Sequence, residues 1–478
     1  MVFSFSSIVI ALTGASFARL YAVFIIHIKE KAMASKLKQI HQNVAGIDVG
    51  ASKFFVGVDG PNGQDEVVNF ETFTCGCKAL VCYLLQKQIT SVAMEATGIY
   101  WKVLHAMLVE AGIEVCVANG RHVKHVPGRK TDVQDCAWIK ELHSHGLLRD
   151  SFIPAPEIEE IRHYMRIREK CLDNKSDAVR RMDKSLVCMN IRISTVISDI
   201  QGKSGMEMIK AILAGQRNID ELVKLCDKRI DKTKMEDVRK SLEGIYKAEH
   251  LFALQHAFNE YEFYIGQITK CDKEIETLLE KTAQQKPDVD VDKEKFKRIY
   301  HNKPAIKDLN KLMMQIYGDK NLTVLPGITS YTLLKFFSEV GTDFSHWKTE
   351  KQFTAALLLA PSKYQSGKSR KYKKIPGTTR AGQILKEAVE SLLRSKNLAL
   401  GAFGKRIAGR RGPSVAIKAM ARKLAVWIYN IVTKGMDFVE NGIKQYEEKQ
   451  QKQNLKWLKK QAAKLNLVLM NPETAEIA

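Results

Sequence analysis

The chain has little of what marks extracellular, fibrous or disordered proteins. Its 478 residues include only 9 cysteines and 11 prolines, and no two cysteines have the C-x-x-C spacing. This scarcity excludes a disulfide-stapled scaffold and favours a reducing compartment, so we expect a cytoplasmic protein. Cys75, Cys77 and Cys82 lie close together, but no second pair follows at zinc-site spacing. With 45% apolar residues, collagen-like and globally disordered chains are also excluded.

Acidic residues are scarce where basic residues are dense. The formal net charge is +22, from 75 lysines and arginines against 53 acids. Residues 41–150 carry 10 basic and 12 acidic residues, whereas residues 361–425 carry 17 basic and only 2 acidic ones. This asymmetry favours a polyanion that is held by the second segment beside chemistry in the first. The alternative is a basic protein that binds no nucleic acid.

Charge is nearly absent at the start of the chain. Between Phe3 and Ile28 only Arg19 carries a charge at neutral pH. A membrane anchor or signal segment would be apolar, but here no basic region precedes the apolar run. We favour translation from Met33. Residues 1–40 are then an extension outside every domain, and no membrane partner is expected.

Short apolar runs from residue 41 predict an α/β domain over residues 41–150. Runs at 44–49, 54–58 and 67–73, separated by turn residues, predict a three-stranded antiparallel meander. The pattern then predicts, in order, a helix at 77–86, a strand at 91–95, a helix at 100–111, a strand at 113–117 and a helix from Thr131 to His143. This is the order of a ribonuclease-H-like fold.

Residues 151–320 are predicted to be helical. Apolar residues recur there at heptad-like steps, which predicts a coiled-coil region that packs on itself or on a second subunit. The first seam is Ile158, Ile161, Met165, Leu172, Val179, Met182, Leu186 and Met189, and the second is Tyr261, Ile265, Ile268, Ile275 and Leu278. A plain helical bundle with no role in oligomerisation is the alternative.

Residues 321–442 are predicted to form a mainly α C-terminal domain, followed by a polar tail at 443–478. The domain opens with Leu325-Pro326-Gly327-Ile328-Thr329 before a helix at 330–340. This pattern is like half of a helix-hairpin-helix motif, in which backbone N–H groups at a glycine turn meet phosphate.

Four acids are candidates for chemistry because of where they lie. Asp48 and Glu95 end apolar strands, and Asp132 and Asp135 lie three apart on the last helix of the α/β domain. In a ribonuclease-H-like fold the two strands are neighbours and the helix crosses near their ends, so all four carboxylates converge. Such a cluster of hard oxygen ligands suits Mg²⁺ or Mn²⁺ and phosphoryl transfer. Taken singly, each acid is as easily a solvated or turn residue.

At these positions the sequence resembles a known family. The matching segments are Gly46-Ile47-Asp48-Val49-Gly50, Met94-Glu95-Ala96-Thr97-Gly98, Gly128–Asp135, Leu325–Ile328, Ala360-Pro361-Ser362, Gln365–Lys368 and Ala421–Ala425. They resemble the DEDD transposases related to the Piv DNA invertase, which form insertion-sequence family one hundred and ten of bridge-RNA-guided recombinases. The resemblance covers about residues 41–200 and 321–442.

The resemblance implies a DNA transposase or recombinase. Its Holliday-junction-resolvase-like domain would hold Mg²⁺ (or Mn²⁺) with Asp48, Glu95, Asp132 and Asp135. Ser366 would be the nucleophile that joins covalently to DNA, although by composition it is an ordinary serine in a flexible basic loop at 364–374. DNA, a guide RNA and further copies of the chain, as a dimer or tetramer, are the implied partners.

The chain departs from the family in two places. Residues 200–320 are longer than expected and read as an insertion, and 375–380 match the family only loosely. Cations expected to contact nucleic acid are Lys368, Arg370, Lys371, Lys373, Lys374, Arg410 and Arg411. No base-reading motif accompanies them, which agrees with sequence choice by a guide RNA or by DNA shape. The alternatives are a junction-specific endonuclease that leaves Ser366 idle and a non-catalytic nucleic-acid-binding protein.

Overall fold

A computed structural model describes most of the chain beyond its N-terminal extension. The described residues are 38–60, 64–118, 120, 132–227, 232–361, 363–366, 369–372, 377–395, 399–437, 448, 452, 455–465 and 467. The apolar stretch 3–28, Met33 and Thr131 lie outside them. Within the described ranges, no helix is long and apolar enough to cross a membrane. The chain divides into two compact units, residues 1–153 and 154–478.

The first unit follows the predicted order of strands and helices. Its elements are β1 (Val44–Val49), β2 (Lys53–Asp59), β3 (Asp65–Glu71), α1 (Thr74–Gln86), β4 (Ser91–Glu95), α2 (Trp101–Glu110), β5 (Glu114–Ala118) and α3 (Asp132–Ser144). The meander and the alternation after it are therefore confirmed, with boundaries within a few residues of those predicted.

The five strands form one mixed sheet in the order β3-β2-β1-β4-β5. β1 pairs antiparallel with β2, and β2 with β3, whereas β1–β4 and β4–β5 are parallel pairs. The chain reaches β4 from β3 through α1, and β5 from β4 through α2, since parallel neighbours cannot be joined by a tight turn. The expectation that the first and fourth strands are neighbours is confirmed.

A row of small residues lets α3 lie directly on the sheet. Gly46 on β1 pairs with Gly57 on β2 and with Ala93 on β4. A Cβ atom at Gly46 would lie 2.2 Å from the carbonyl oxygen of Cys136 and 2.3 Å from the amide nitrogen of Lys140. At Gly57 the helix backbone at Ala137 would be 3.2 Å away. Only glycine at position 46 permits this approach of helix to strand.

We therefore expect Gly46→Ala to destabilise the first unit by about 3 kcal/mol or more, because the new methyl group would displace α3 from the sheet. Urea unfolding of the full chain, followed by far-UV circular dichroism, measures this. Gly266→Ala is the matched control. A Cβ atom at this mid-helix glycine meets nothing within 4 Å, so the change should stabilise by roughly 0.5–1 kcal/mol. Equal effects at the two glycines would contradict the packing argument.

Two long antiparallel helices organise the second unit. They are α4 (Pro156–Cys188) and α8 (Ala248–Gln284). Three short helices between them, α5 (Lys203–Leu213), α6 (Ile219–Lys224) and α7 (Met235–Ser241), share one apolar core with the adjoining ends of the long pair. The segment read as an insertion is therefore folded.

The predicted seams hold on one long helix and fail in part on the other. On α4 the stripe through Ile161, Met165, Met182 and Leu186 is buried. On α8, Tyr261 and Ile275 are buried but Ile265 is exposed. The buried stripe instead runs Leu254, Ala257, Tyr261, Cys271, Ile275, Leu279 and Ala283. The second seam was assigned wrongly in part, because Ile265 and Leu278 lie beside the buried stripe of α8 and not on it.

The remaining elements are shorter. They are α9 (Leu309–Ile316), α10 (Ser330–Val340), α11 (Glu350–Ala356), β6 (Lys363–Ser366), β7 (Ser369–Tyr372), α12 (Arg380–Glu390), α13 (Ala399–Arg411) and α14 (Pro413–Lys434). The predicted helix at 330–340 is confirmed, with the Thr329 hydroxyl accepting from the Thr332 amide as N-cap. At Gly327, before this helix, φ is +77° and a Cβ atom would lie 2.1 Å from the Ala388 carbonyl. This glycine serves close packing against α12.

A buried ion pair joins α4 to α8. Arg168 is 1% exposed, and its Nε donates to Asp272 at 2.5 Å. The same guanidinium donates to the Tyr331 hydroxyl of α10 at 2.6 Å and to the Asn302 carbonyl at 3.1 Å. Asp272 also accepts from the Ala305 amide at 2.9 Å. Both charges are thus satisfied by hydrogen bonds, as buried charges must be.

Removing either partner alone should cost about 3–5 kcal/mol, because the other charge is left buried. We expect this loss for Arg168→Met and for Asp272→Leu in denaturant unfolding of the full chain, and a smaller loss for the double variant. Arg180→Met is the control, since the Arg180–Asp177 pair on α4 is exposed and should change stability by less than about 1 kcal/mol. If the double variant lost as much stability as the two single variants together, Arg168 and Asp272 would not be coupled.

Candidate active site

Asp48 and Glu95 lie side by side at one edge of the sheet. β1 and β4 are parallel with Ile47 opposite Met94, so the next residue on each strand is one of the two acids. Asp48 is half-buried and Glu95 is 9% exposed. Both acids lie two residues beyond the Gly46–Ala93 pair, so their side chains leave the same face of the sheet, the face covered by α3.

The first turn of α3 covers that edge. The Cys136 carbonyl lies over Gly46, so Asp135, one residue earlier, lies toward the strand ends that carry Asp48 and Glu95. The negative charge of Asp48 acts on Cys136 in this part of α3. Burial raises the pKa of the Cys136 thiol to about 11, and the negative charge of Asp48 contributes to the rise. Asp48 and Glu95 are therefore placed at one end of one face, and Asp135 lies on the helix turn nearest that end.

The fourth acid, Asp132, begins α3, but its side chain lies outside the described residues. Among the side chains that the structure describes, no group of three or more acids, histidines or cysteines is arranged to hold a metal ion. The described part of the predicted metal site consists of Asp48, Glu95 and Asp135.

Gly120 is a site residue that the sequence interpretation missed. A Cβ atom there would lie 2.2 Å from the Glu95 carboxylate oxygen Oε1. A side chain at position 120 would therefore require the Glu95 carboxylate to move. Gly46 and Gly57 were also missed, because like Gly120 they carry no functional group. The available signal was a glycine inside or directly after an apolar strand, which marks close approach of another part of the chain.

Contacts at its C-terminal half fix the direction of α3. The Lys140 ammonium donates to Asp59 and to Asp65, each at 2.5 Å. Further along, Nε2 of His143 shares a hydrogen bond of 2.7 Å with the Ser91 hydroxyl, at the amino end of β4. The His41 ring stacks on His143 at 5.0 Å between centroids. The helix thus runs antiparallel to β4, which puts its N-terminus at the acidic edge.

The segment around Ser366 is a β-hairpin, so the expected flexible loop is wrong. β6 and β7 pair antiparallel, with Ser366 opposite Ser369. Three of the eight strand residues are cationic, so no apolar alternation in the sequence marks this pair of strands. The side chains of Ser366, Arg370 and Lys371, and residues Lys368, Lys373 and Lys374, lie outside the described part. Arg410 and Arg411 are exposed at the end of α13.

Two family comparisons place this chain in the class of DNA-acting transposases. A sequence model of the DEDD transposases of IS110 type matches residues 45–190. A second, described as Transposase IS116/IS110/IS902 family, matches residues 319–400. The chain is a member of the IS110 family of DEDD transposases, which makes it a transposase or recombinase acting on DNA. A search of the curated proteins finds no match.

The buried His143, which hydrogen-bonds Ser91 and holds α3 on the sheet, should stabilise the fold less in acid. Burial lowers the pKa of His143 to about 4, and His41 contributes to the shift. Since the pKa is about 6.5 in the unfolded chain, the neutral ring supports folding above this value. That support is lost as the pH falls toward 4, by roughly 3 kcal/mol at most. Urea unfolding at about pH 7 and about pH 4.5 measures the loss.

His143→Gln is the control for this pH dependence. Glutamine can still hydrogen-bond Ser91 but cannot take up a proton, so the variant should lose less stability than the natural chain over the same interval. Equal losses in the two proteins would show that His143 does not carry the acid sensitivity.

Proposed function

We propose that the chain cleaves and exchanges DNA strands with a divalent metal held by Asp48, Glu95, Asp132 and Asp135 in a ribonuclease-H-like domain. The observation that carries this proposal is the register of β1 and β4, which brings Asp48 and Glu95 together beneath the first turn of α3. The strand order β3-β2-β1-β4-β5, with its antiparallel and parallel halves, supports the proposed fold.

The donor set fits Mg²⁺ or Mn²⁺. All four groups are carboxylates, which are the hard oxygen ligands these ions prefer, and like charges so close together need a cation between them. A bound metal would supply charge neutralisation at the phosphate that is attacked and at the oxygen that leaves. Gly120 leaves room beside Glu95 for that carboxylate to keep its place.

We further propose Ser366 as the nucleophile that forms a covalent phosphodiester with DNA. Family membership supports this role, and so does the position of Ser366 as the last residue of β6, paired with Ser369 of β7.

The partners proposed are DNA, a guide RNA and further copies of the chain. Lys368, Arg370, Lys371, Lys373, Lys374, Arg410 and Arg411 would bind phosphates, and the preponderance of basic residues in segment 361–425 supports that role. The surface that joins the copies is proposed to include the long helices α4 and α8.

The acids and the serine are tested together. The protein is incubated with Mg²⁺, labelled DNA carrying the ends of the element, and RNA transcribed from the flanking non-coding region, and is then run on a denaturing gel. Asp48→Asn and Glu95→Gln should reduce all cleavage by about a thousandfold or more, because metal binding is lost. Ser366→Ala should abolish the covalent protein–DNA band.

Glu71→Gln and Ser369→Ala are the matched controls and should keep full activity. Glu71 is an exposed acid at the end of β3, and Ser369 lies opposite Ser366 in the hairpin. Mg²⁺-dependent nicking that survives in Ser366→Ala would identify a junction-type endonuclease instead. Unchanged behaviour of Asp48→Asn would identify a non-catalytic binding protein.

A further inference from the structure

The segment between α8 and α9 is strongly cationic and lies between the two family matches. Residues 295–307 contain five lysines and arginines and one histidine, with no acid among them. Both family models stop short of it, at residue 190 on one side and 319 on the other. Its function is therefore not implied by family membership.

This segment is irregular in secondary structure but firmly held. The Asn302 carbonyl accepts from Arg168, and the Ala305 amide donates to Asp272, the two partners of the buried ion pair. Pro304 and Ile306 are buried, and Lys303 between Asn302 and Pro304 is exposed. These contacts hold the backbone of the segment in one conformation. The loss of backbone conformational entropy when a ligand binds its exposed side chains is therefore small.

A cavity of about 550 Å³ opens along the segment. Lys297, Arg298, Lys303 and Lys311 line it, against a single carboxylate, Asp308. Two of these cations are already engaged, Lys297 with the Leu325 carbonyl and Lys311 with Asp288 at 2.9 Å. Within the described part of the chain, no ion pair includes Arg298 or Lys303. The lining is thus suited to an anion.

An exposed aromatic ring adjoins the cavity. Tyr300 is 77% exposed, and the Arg298 guanidinium lies 5.5 Å from the centre of its ring. A cation against an exposed ring is the arrangement on which a nucleobase stacks, while neighbouring cations bind the phosphates on either side.

We propose that Arg298, Tyr300 and Lys303 form a binding site for an unpaired nucleic-acid strand, with a base stacked on Tyr300 and phosphates on Arg298 and Lys303. The strand is unpaired because a base inside a duplex has no free face to offer the ring. RNA and DNA share this chemistry, and both are available to a transposase. The site shares no residue with the four acids or Ser366.

Photocrosslinking of the full chain tests the site without relying on total affinity, to which the basic segment 361–425 also contributes. Single-stranded RNA containing thiouridine and single-stranded DNA containing thiothymidine are irradiated with the protein, and the crosslinked peptides are identified by mass spectrometry. We expect a crosslink at Tyr300. In Tyr300→Ala this crosslink should be lost while crosslinks in segment 361–425 remain.

Fluorescence anisotropy with the same strands gives the size of the effect. Tyr300→Ala should weaken binding about tenfold, which is within the range for loss of one stacked base. Lys303→Ala should reduce the salt dependence of binding. Phe252→Ala is the matched control, because Phe252 in the same unit is 76% exposed and should leave both readouts unchanged.

Three outcomes would overturn the proposal. They are crosslinks confined to other segments, a loss in Tyr300→Ala no larger than that in Phe252→Ala, and an equal loss with duplex DNA as the probe. Tighter binding of the RNA strand identifies RNA as the ligand of the site, and tighter binding of the DNA strand identifies DNA. Asp48→Asn should bind both probes normally, so failure of the proposed chemistry and failure of this site are distinguishable.

Discussion

The arrangement of the first unit depends on a steric constraint, the contact between the backbone of α3 and the backbone of β1 and β2. Gly46 and Gly57 are cross-strand partners, and no side chain separates the helix from either of them. A helix resting on side chains would be several ångströms further from the sheet, since sheets and helices ordinarily pack about 10 Å apart. At this shorter distance an acid in the first turn of α3 comes within reach of acids on the strands. The two glycines therefore determine which residues can act together, although neither carries a functional group.

The sequence predicts this part of the fold well, for a physical reason. Strands β1 to β5 are short apolar runs bounded by turn residues, so both their existence and their order follow from local patterns. That Asp48 and Glu95 are neighbours follows from the order alone, because a parallel strand added beside β1 aligns the two carboxyl ends. The position of Gly120 just after β5 signals a close approach, but no local pattern identifies Glu95 as the residue approached.

The second unit was harder to predict, and the failures have separate causes. The hairpin at 363–372 is rich in charged residues, so the apolar alternation that reveals a strand is missing. On α8, apolar residues stand on more than one face, as exposed Phe252 and Phe263 show, so a heptad could be drawn through the wrong ones. The cations at 295–307 escaped notice because the acid-rich stretch 272–294 directly before them balances their charge in any long average. A cationic segment as short as 295–307 is detected only when net charge is calculated over a window of similar length.

The Arg168–Asp272 pair has a consequence for the stretch of this chain that lies between the two family matches. Arg168 and Tyr331 lie within the matched segments, whereas Asp272, Asn302 and Ala305 lie in the stretch that neither family model covers. The stretch has therefore become part of the core on which the matched helices rest. A chain shortened to the matched segments would keep an arginine whose counter-charge had been cut away. A shortened chain that lacks α8, and with it Asp272, would therefore also need a different residue at position 168. Loss of the helix and replacement of Arg168 would have to occur together.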